Sequence, residues 1–342
     1  MRINTRLACI GLLAVCCASG CGGGKQDKSA VAPSGGSGAA EKLRICLLPK
    51  IKGIAYFSSC AVGAREAADE LGNVDLVYDG PTDGDPKKQA EMIEQWTVDG
   101  VDVICVAPNA PDVVANAMRE AQSAGVKVLT WDAEGAEGTR SFFVNQATAE
   151  GIGHGLTDEA ARLLGGKGEF AIITGALSAA NQNEWISFIK ARVADRYPDL
   201  KLATIRPSDD DRDKAFAETQ TILRAFPNVT LVMAISAPAV PGAGEAVRQA
   251  RRPDVKVIGL SLPNMNKPYV HEGVVQTVML WNTANLGYLT VYAGHLMAQS
   301  KLAPGAASIE AGRLGTIAIR GSEIILGPPL LFTKENIDKF DF

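Results

Sequence analysis

The sequence is poor in the residues that catalysis and metal binding ordinarily use. Its 342 residues hold three histidines, His154, His271 and His295, scattered over helix-like segments with no metal-ligand spacing. Each reads as a surface or helix-terminal residue. There is no CxxC pair, no G-x-S-x-G elbow and no phosphate loop ending in Gly-Lys-Ser or Gly-Lys-Thr. The stretches "GIGHGL" and "GAGEAV" look like dinucleotide loops, but Leu156 and Val247 occupy the third glycine's place. The carboxylates of "DDDRD" at 209 to 213 open a helix, where capping and solvated charge are the ordinary roles. No metal, no cofactor and no catalytic set is therefore expected, and the chain reads as a binding protein, not an enzyme. Basic clusters are lacking too. The formal net charge is -4 and no run of lysine and arginine stands out to neutralise phosphates, which argues against nucleic acid as a partner.

Long apolar runs are confined to the N-terminus. Arg2 and Arg6 precede "LACIGLLAVCCASG", too short to span a bilayer and built like the core of a signal peptide. It ends in "ASGC", small residues leading into Cys21, which resembles a bacterial lipoprotein signal. Residues 1–20 are then the signal peptide, and Cys21 is the lipidated first residue of the mature chain. Residues 21–41, rich in Gly, Ser and Ala without periodicity, read as a flexible tether. The expected location is the cell envelope outside the cytoplasmic membrane, with the lipid as the only membrane contact. Cys46, Cys60 and Cys105 remain in the body. Cys46 and Cys105 lie in apolar strand-like runs, where cysteine serves as a small hydrophobe, so buried free thiols are expected.

From residue 42 the chain alternates short apolar runs with amphipathic ones. "LRICLLP", "VDLVYDG", "VDVICVAP" and "VKVLTWD" read as strands, with helical spacing between them. In "DPKKQAEMIEQWTVDG", Asp85 is placed to cap a helix and Pro86 to start it. Strands that are apolar throughout and separated by helices indicate a parallel sheet covered on both faces. The rhythm restarts after "SFFVNQ", giving a second unit of similar size. The predicted fold class is α/β, with two Rossmann-like lobes and a ligand cleft between them. The first lobe spans 42–145 plus about 280–312, because the helix "TANLGYLTVYAGHLMAQS" fits best as an element returning there. The second spans 146–279 plus part of the tail, and 313–342 carries the final crossover and C-terminal tail.

Ligands of open α/β sheets bind beyond the carboxyl ends of the strands. That rule places Lys50, Asn109, Trp131, Asp132, residues 180 to 182, Ser236, Ala237, Asn264 and Trp281 at the cleft. In "VKVLTWDAEG" an apolar run ends abruptly in Trp131 and Asp132. A carboxylate accepts hydrogen bonds from two hydroxyls, lysine and amides supply donors, and an indole offers a flat apolar wall. Those are the needs of a carbohydrate. An equally good reading of the pair in isolation is that Trp131 packs under the loop and Asp132 caps a turn.

The segments "PKIKGIAYFSS", "YDGPTDGDPKKQ", "GVKVLTWDAE", "FVNQAT", "NQNEW", "LPNMNKPYV", "GYLTVYAGHL" and "FTKENIDKFDF" together resemble the bacterial type I periplasmic sugar-binding proteins, above all the branch of the autoinducer-2-binding and rhamnose-binding proteins. The resemblance runs from about Leu43 to the end. It implies two lobes joined by three crossovers, an enclosed ligand, and delivery to an ABC permease with its ATPase; the receptor itself is expected to be a monomer. It carries the ligand-contacting lysine onto Lys50 and the aspartate onto Asp132. An Asp-Gln pair falls on Asn181 and Gln182, backbone contacts fall on Ile235 and Ala237, and aromatic walls fall on Phe57, Trp131 and Trp281 with Tyr56 beside them. Asparagine at 181 and isoleucine at 235 depart from the autoinducer-2 pattern. A monosaccharide, with a deoxyhexose such as rhamnose favoured, is therefore expected ahead of the alternative, an autoinducer-2 receptor for uptake or signalling. Hinges are expected near Asn145, Gln276 and Leu314.

Overall fold

The computed structural model describes residues 42–342. The expected signal peptide, the lipid-bearing Cys21 and the tether through residue 41 lie outside the described residues. The alternation read from the sequence builds two open sheets. The first is assembled from β1 (Leu43–Leu48), α1 (Ala55–Leu71), β2 (Val74–Tyr78), α2 (Pro86–Val98), β3 (Val103–Val106), α3 (Pro111–Ser123), β4 (Lys127–Trp131) and β5 (Phe143–Asn145). Its strands pair in parallel in the order β5-β4-β3-β1-β2. Asp85 caps α2 as its sequence position suggests, its side chain accepting from Lys87 N at 2.9 Å, and Pro86 sits in the first turn.

The second sheet follows from α4 (Ala149–Leu164), β6 (Gly168–Thr174), α5 (Ala180–Arg196), β7 (Leu200–Pro207), α6 (Arg212–Ala225), β8 (Val229–Ala234), α7 (Ala239–Gln249), β9 (Lys256–Leu260), α8 (Pro263–His271) and β10 (Val275–Leu280). These strands are parallel in the order β10-β9-β8-β6-β7. Next comes α9 (Thr283–Ala298), which packs on α1 and on β1, β3, β4 and β5, so it does return to the first lobe. The two helices meet at glycines. A Cβ on Gly63 would lie 1.7 Å from the Ala284 carbonyl oxygen, and one on Gly287 would lie 1.9 Å from that of Cys60. Only hydrogen fits at either contact. His295, read as a surface or terminal residue, does sit in the last turn of α9 but is buried, its Nε2 3.0 Å from Asn73 Oδ1.

The tail corrects the expected boundary at 313. The strands β11 (Ser308–Glu310), β12 (Thr316–Arg320) and β13 (Glu323–Ile325) all extend the first sheet, β13 lying parallel to β5, β12 antiparallel to β13 and β11 antiparallel to β12. Left bare, β5 would present an unpaired edge, and this addition covers it. Only then does the chain cross to β14 (Leu330–Phe332), antiparallel to β10. The three connections between lobes are therefore residues 146–148, 281–282 and 326–329. Of the expected hinges, Asn145 borders the first connection. Gln276 is inside β10 and Leu314 is in a short turn of the first lobe, so neither is in a crossover.

The three described cysteines are free and buried. Cys46 and Cys105 cannot meet, because Cys46 pairs with Ile104 across the strands, so Cys105 points to the opposite face of the sheet. Burial pushes the Cys46 thiol up to about 12 and raises Cys60 and Cys105 as well. Native protein should therefore leave these three thiols unmodified by an alkylating reagent, and unfolded protein should expose all three. Mass mapping of alkylated peptides checks this, and a Cys46–Cys105 disulfide would contradict it.

Candidate functional site

The carboxyl ends of both sheets face each other, and residues from several strand ends of each enclose a cavity. Lys50 follows β1, Tyr56 and Phe57 form the first turn of α1, and Asp132 follows β4. From the other lobe come Asn181, Gln182 and Trp185 of α5, Asp210 after β7, and Ile235, Ser236 and Ala237 after β8. Trp281, in the second connection, closes the set. The cavity has room for about three waters, fewer atoms than a sugar ring carries.

One polar chain runs through the first lobe's wall. Trp281 Nε1 donates to Tyr56 OH at 2.9 Å, and Tyr56 OH donates to Asp132 Oδ1 at 2.7 Å. Burial, with the Asp132 charge adding to it, holds the Tyr56 hydroxyl far above its usual pKa, so it stays a donor. Trp281 has no further N–H and offers the cavity only its ring. Asp132 Oδ2 lies 3.3 Å from Lys50 Nζ, and both residues are under 5% exposed, at 4% and 3%. Each carboxylate oxygen keeps a lone pair for another donor. Asp132 has φ 63, the left-handed region that Asp and Asn tolerate best among side-chain-bearing residues. That turn takes the chain out of β4 and into the cleft.

The second lobe answers with amides. Lys50 Nζ donates to Asn181 Oδ1 at 2.9 Å, and Asn181 Nδ2 donates to the Asp132 carbonyl at 3.1 Å. These two bonds tie the lobes together, and a third runs from Ser178 Oγ to the Asn109 carbonyl at 3.1 Å. Gln182 Oε1 is held by Thr174 Oγ1 at 2.6 Å and by Gly175 N, which fixes its orientation and turns its NH₂ to the Asp210 carboxylate. The Ala237 carbonyl already accepts from Ser261 Oγ at 2.6 Å.

Lys50, Tyr56, Phe57, Asp132, Asn181, Gln182, Ile235, Ala237 and Trp281, named from the sequence, thus share the cavity. Three others do not. Trp131 is fully buried on the core side, its Nε1 donating to the Cys105 carbonyl at 3.2 Å and its ring edge-on to Phe57 at 5.5 Å. It backs Phe57 instead of lining the cleft. Asn109 turns away to Gly84 and is held by Gln89. Asn264 is exposed and pins the C-terminus, donating to Asp341 Oδ1 at 3.0 Å and, through its backbone N–H, to the Phe342 carbonyl.

Sequence reasoning missed Asp210 and Trp185. Trp185 lies one turn beyond Asn181 on α5, so helical spacing would have found it. Asp210 stands in the loop after β7, where the strand-end rule applies, but its place in "DDDRD" suggests helix-capping charge. Asp211 does cap α6, accepting from Lys214 N at 2.6 Å. Asp209 and Asp210, at φ 52 and φ 55, bend the chain so that the middle carboxylate points inward.

Residues 45–302 match the family model described as periplasmic binding protein domain. The ribose import binding protein RbsB of Escherichia coli is 28% identical over 222 residues, covering 64% of this chain and 72% of its own. A solute-binding protein of Clostridium phytofermentas with bound L-rhamnose superposes with a TM-score of 0.84 at 28% identity, over 88% of this chain and 98% of the other. The protein LsrB of Clostridium saccharobutylicum in complex with AI-2 gives 0.83 at 22% identity, over 88% and 100%, a likeness of fold alone.

Proposed function

The chain belongs to the periplasmic binding protein family, in its type I, sugar-binding branch of ABC importers, and from that premise we propose that it captures a small neutral sugar and delivers it to an ABC permease and its ATPase. The observation that carries this is the enclosed cavity between the lobes, where Lys50, Asp132 and Gln182 offer hydrogen-bonding capacity beside the rings of Phe57, Trp185 and Trp281. Aromatic faces suit the apolar C–H surface of a sugar, and the polar groups suit its hydroxyls. Among such ligands a monosaccharide, a deoxyhexose such as rhamnose included, is the favoured class. Supporting it over autoinducer-2 is Asn181, whose amide N–H meets the Asp132 carbonyl. A carboxylate there would set two acceptors face to face. The relatives named above are binding proteins, which agrees with a receptor and not an enzyme. The receptor acts as a monomer outside the cytoplasmic membrane, held by lipid on Cys21, as the "ASGC" sequence suggests.

A thermal-shift panel of pentoses, hexoses, deoxyhexoses and autoinducer-2 tests the reading. A ligand at 100-fold its Kd adds about 2.7 kcal/mol of stability, which for a chain of this size corresponds to roughly 5 °C in Tm. L-rhamnose or a close relative should produce such a shift. A response to autoinducer-2 alone would reverse the ranking, and a panel with no response to any sugar would remove the proposal.

A further inference from the structure

We propose that Asp210 is a second ligand-contacting carboxylate of this site and makes it select neutral polyhydroxylated ligands over anionic ones. The inference rests on the sugar-binding reading and deepens it. The lining holds one cation, Lys50, and two carboxylates, Asp132 from the first lobe and Asp210 from the second. Lys50 is already engaged by Asp132 and Asn181. With both aspartates ionised the cavity carries one net negative charge, and no cation is left to receive a carboxylate or phosphate on a ligand.

Asp210 occupies a place built for it. Gly175 leaves the room, since a Cβ there would lie 2.6 Å from Asp210 Oδ1 and 2.9 Å from Cγ. Ser236 donates its hydroxyl to Oδ1, and Gln182 stands alongside. Two successive residues adopt positive φ to aim the side chain inward. Part of the residue reaches solvent, but its carboxyl is enclosed, and that burial raises its pKa while Lys50 opposes the rise. A carboxylate held at such expense in a closing cleft is stabilised by further donors, and the hydroxyls of a neutral sugar supply them. The same arrangement accounts for Asn181, because a third carboxylate would leave three anions around one lysine.

The test uses the neutral sugar found in the panel and the sugar acid of the same carbon skeleton, measured by calorimetry. Wild type should bind the neutral sugar at least about 100-fold more tightly than the acid. Asp210→Asn should weaken the neutral sugar at least about tenfold and narrow the gap to the acid, the size expected for one charged hydrogen bond. Gly175→Ala provides a second route, because its methyl displaces the carboxylate from the cavity without changing the charge of the chain. It should reproduce the affinity loss. If both variants keep wild-type affinity and discrimination, Asp210 is not a ligand contact and the inference fails while the sugar reading stands. If wild type binds the acid as tightly as the neutral sugar, the selectivity claim is wrong. Binding of no sugar by wild type overturns the sugar reading itself.

Discussion

Asp132→Asn should bind the sugar at least about tenfold more weakly than wild type, and it should melt lower as well. One charged hydrogen bond to a ligand hydroxyl contributes roughly 1.5–3 kcal/mol, and 1.4 kcal/mol is a factor of ten in Kd. The stability effect has a separate origin. Asp132 and Lys50 form a buried pair at 3.3 Å, and Tyr56 OH donates to the same carboxylate. Removing one member of a buried pair leaves the other without its counter-charge, which destabilises by about 3–5 kcal/mol. Asparagine is the informative substitution, because it tolerates φ 63 where alanine would add backbone strain. Affinity and Tm measured on one preparation separate the roles. A lower Tm with unchanged affinity in the folded fraction would show that Asp132 only holds Lys50 and Tyr56 in place.

The other large effect lies far from the cavity, where α9 crosses α1. Gly287→Ala adds a methyl 1.9 Å from the Cys60 carbonyl, a backbone atom that cannot swing aside. Overpacking of this kind costs about 3 kcal/mol or more, so Tm should fall by roughly 6 °C or beyond. Gly294→Ala, on the same helix, is the comparison. Its methyl would meet Val103 Cγ1 at 3.2 Å and Cys105 Sγ at 3.5 Å, side-chain atoms that can give. Both variants gain the same helix propensity, about 1 kcal/mol, so the difference between their melting curves isolates the crossing. Equal stability of Gly287→Ala and wild type would mean that α1 and α9 do not approach this closely.

The sequence by itself determined the two lobes and the end of each sheet at which the site lies. Apolar strands spaced by amphipathic helices have few ways to pack, and parallel connections place the variable loops at the strands' carboxyl ends. Lys50, Asp132, Asn181 and Gln182 were legible for that reason, and α9 was legible as a helix left over once the two alternating units were counted. The short strands β11, β12 and β13 were not, since three to five residues carry too little periodicity to mark them. Their place depended on the open edge of β5, a feature that exists only once the sheet has formed. At the site the undecided matter was direction. Trp131 and Asp132 are neighbours in the chain, yet successive side chains of a strand point to opposite faces, and the positive φ at Asp132 turns the backbone again. Trp131 went to the core and Asp132 to the cleft. The same kind of turn separated Asp210, aimed inward, from Asp211, which caps a helix. Composition and spacing are blind to which way a backbone bends, so only the tertiary structure decided which of these adjacent residues could meet a ligand.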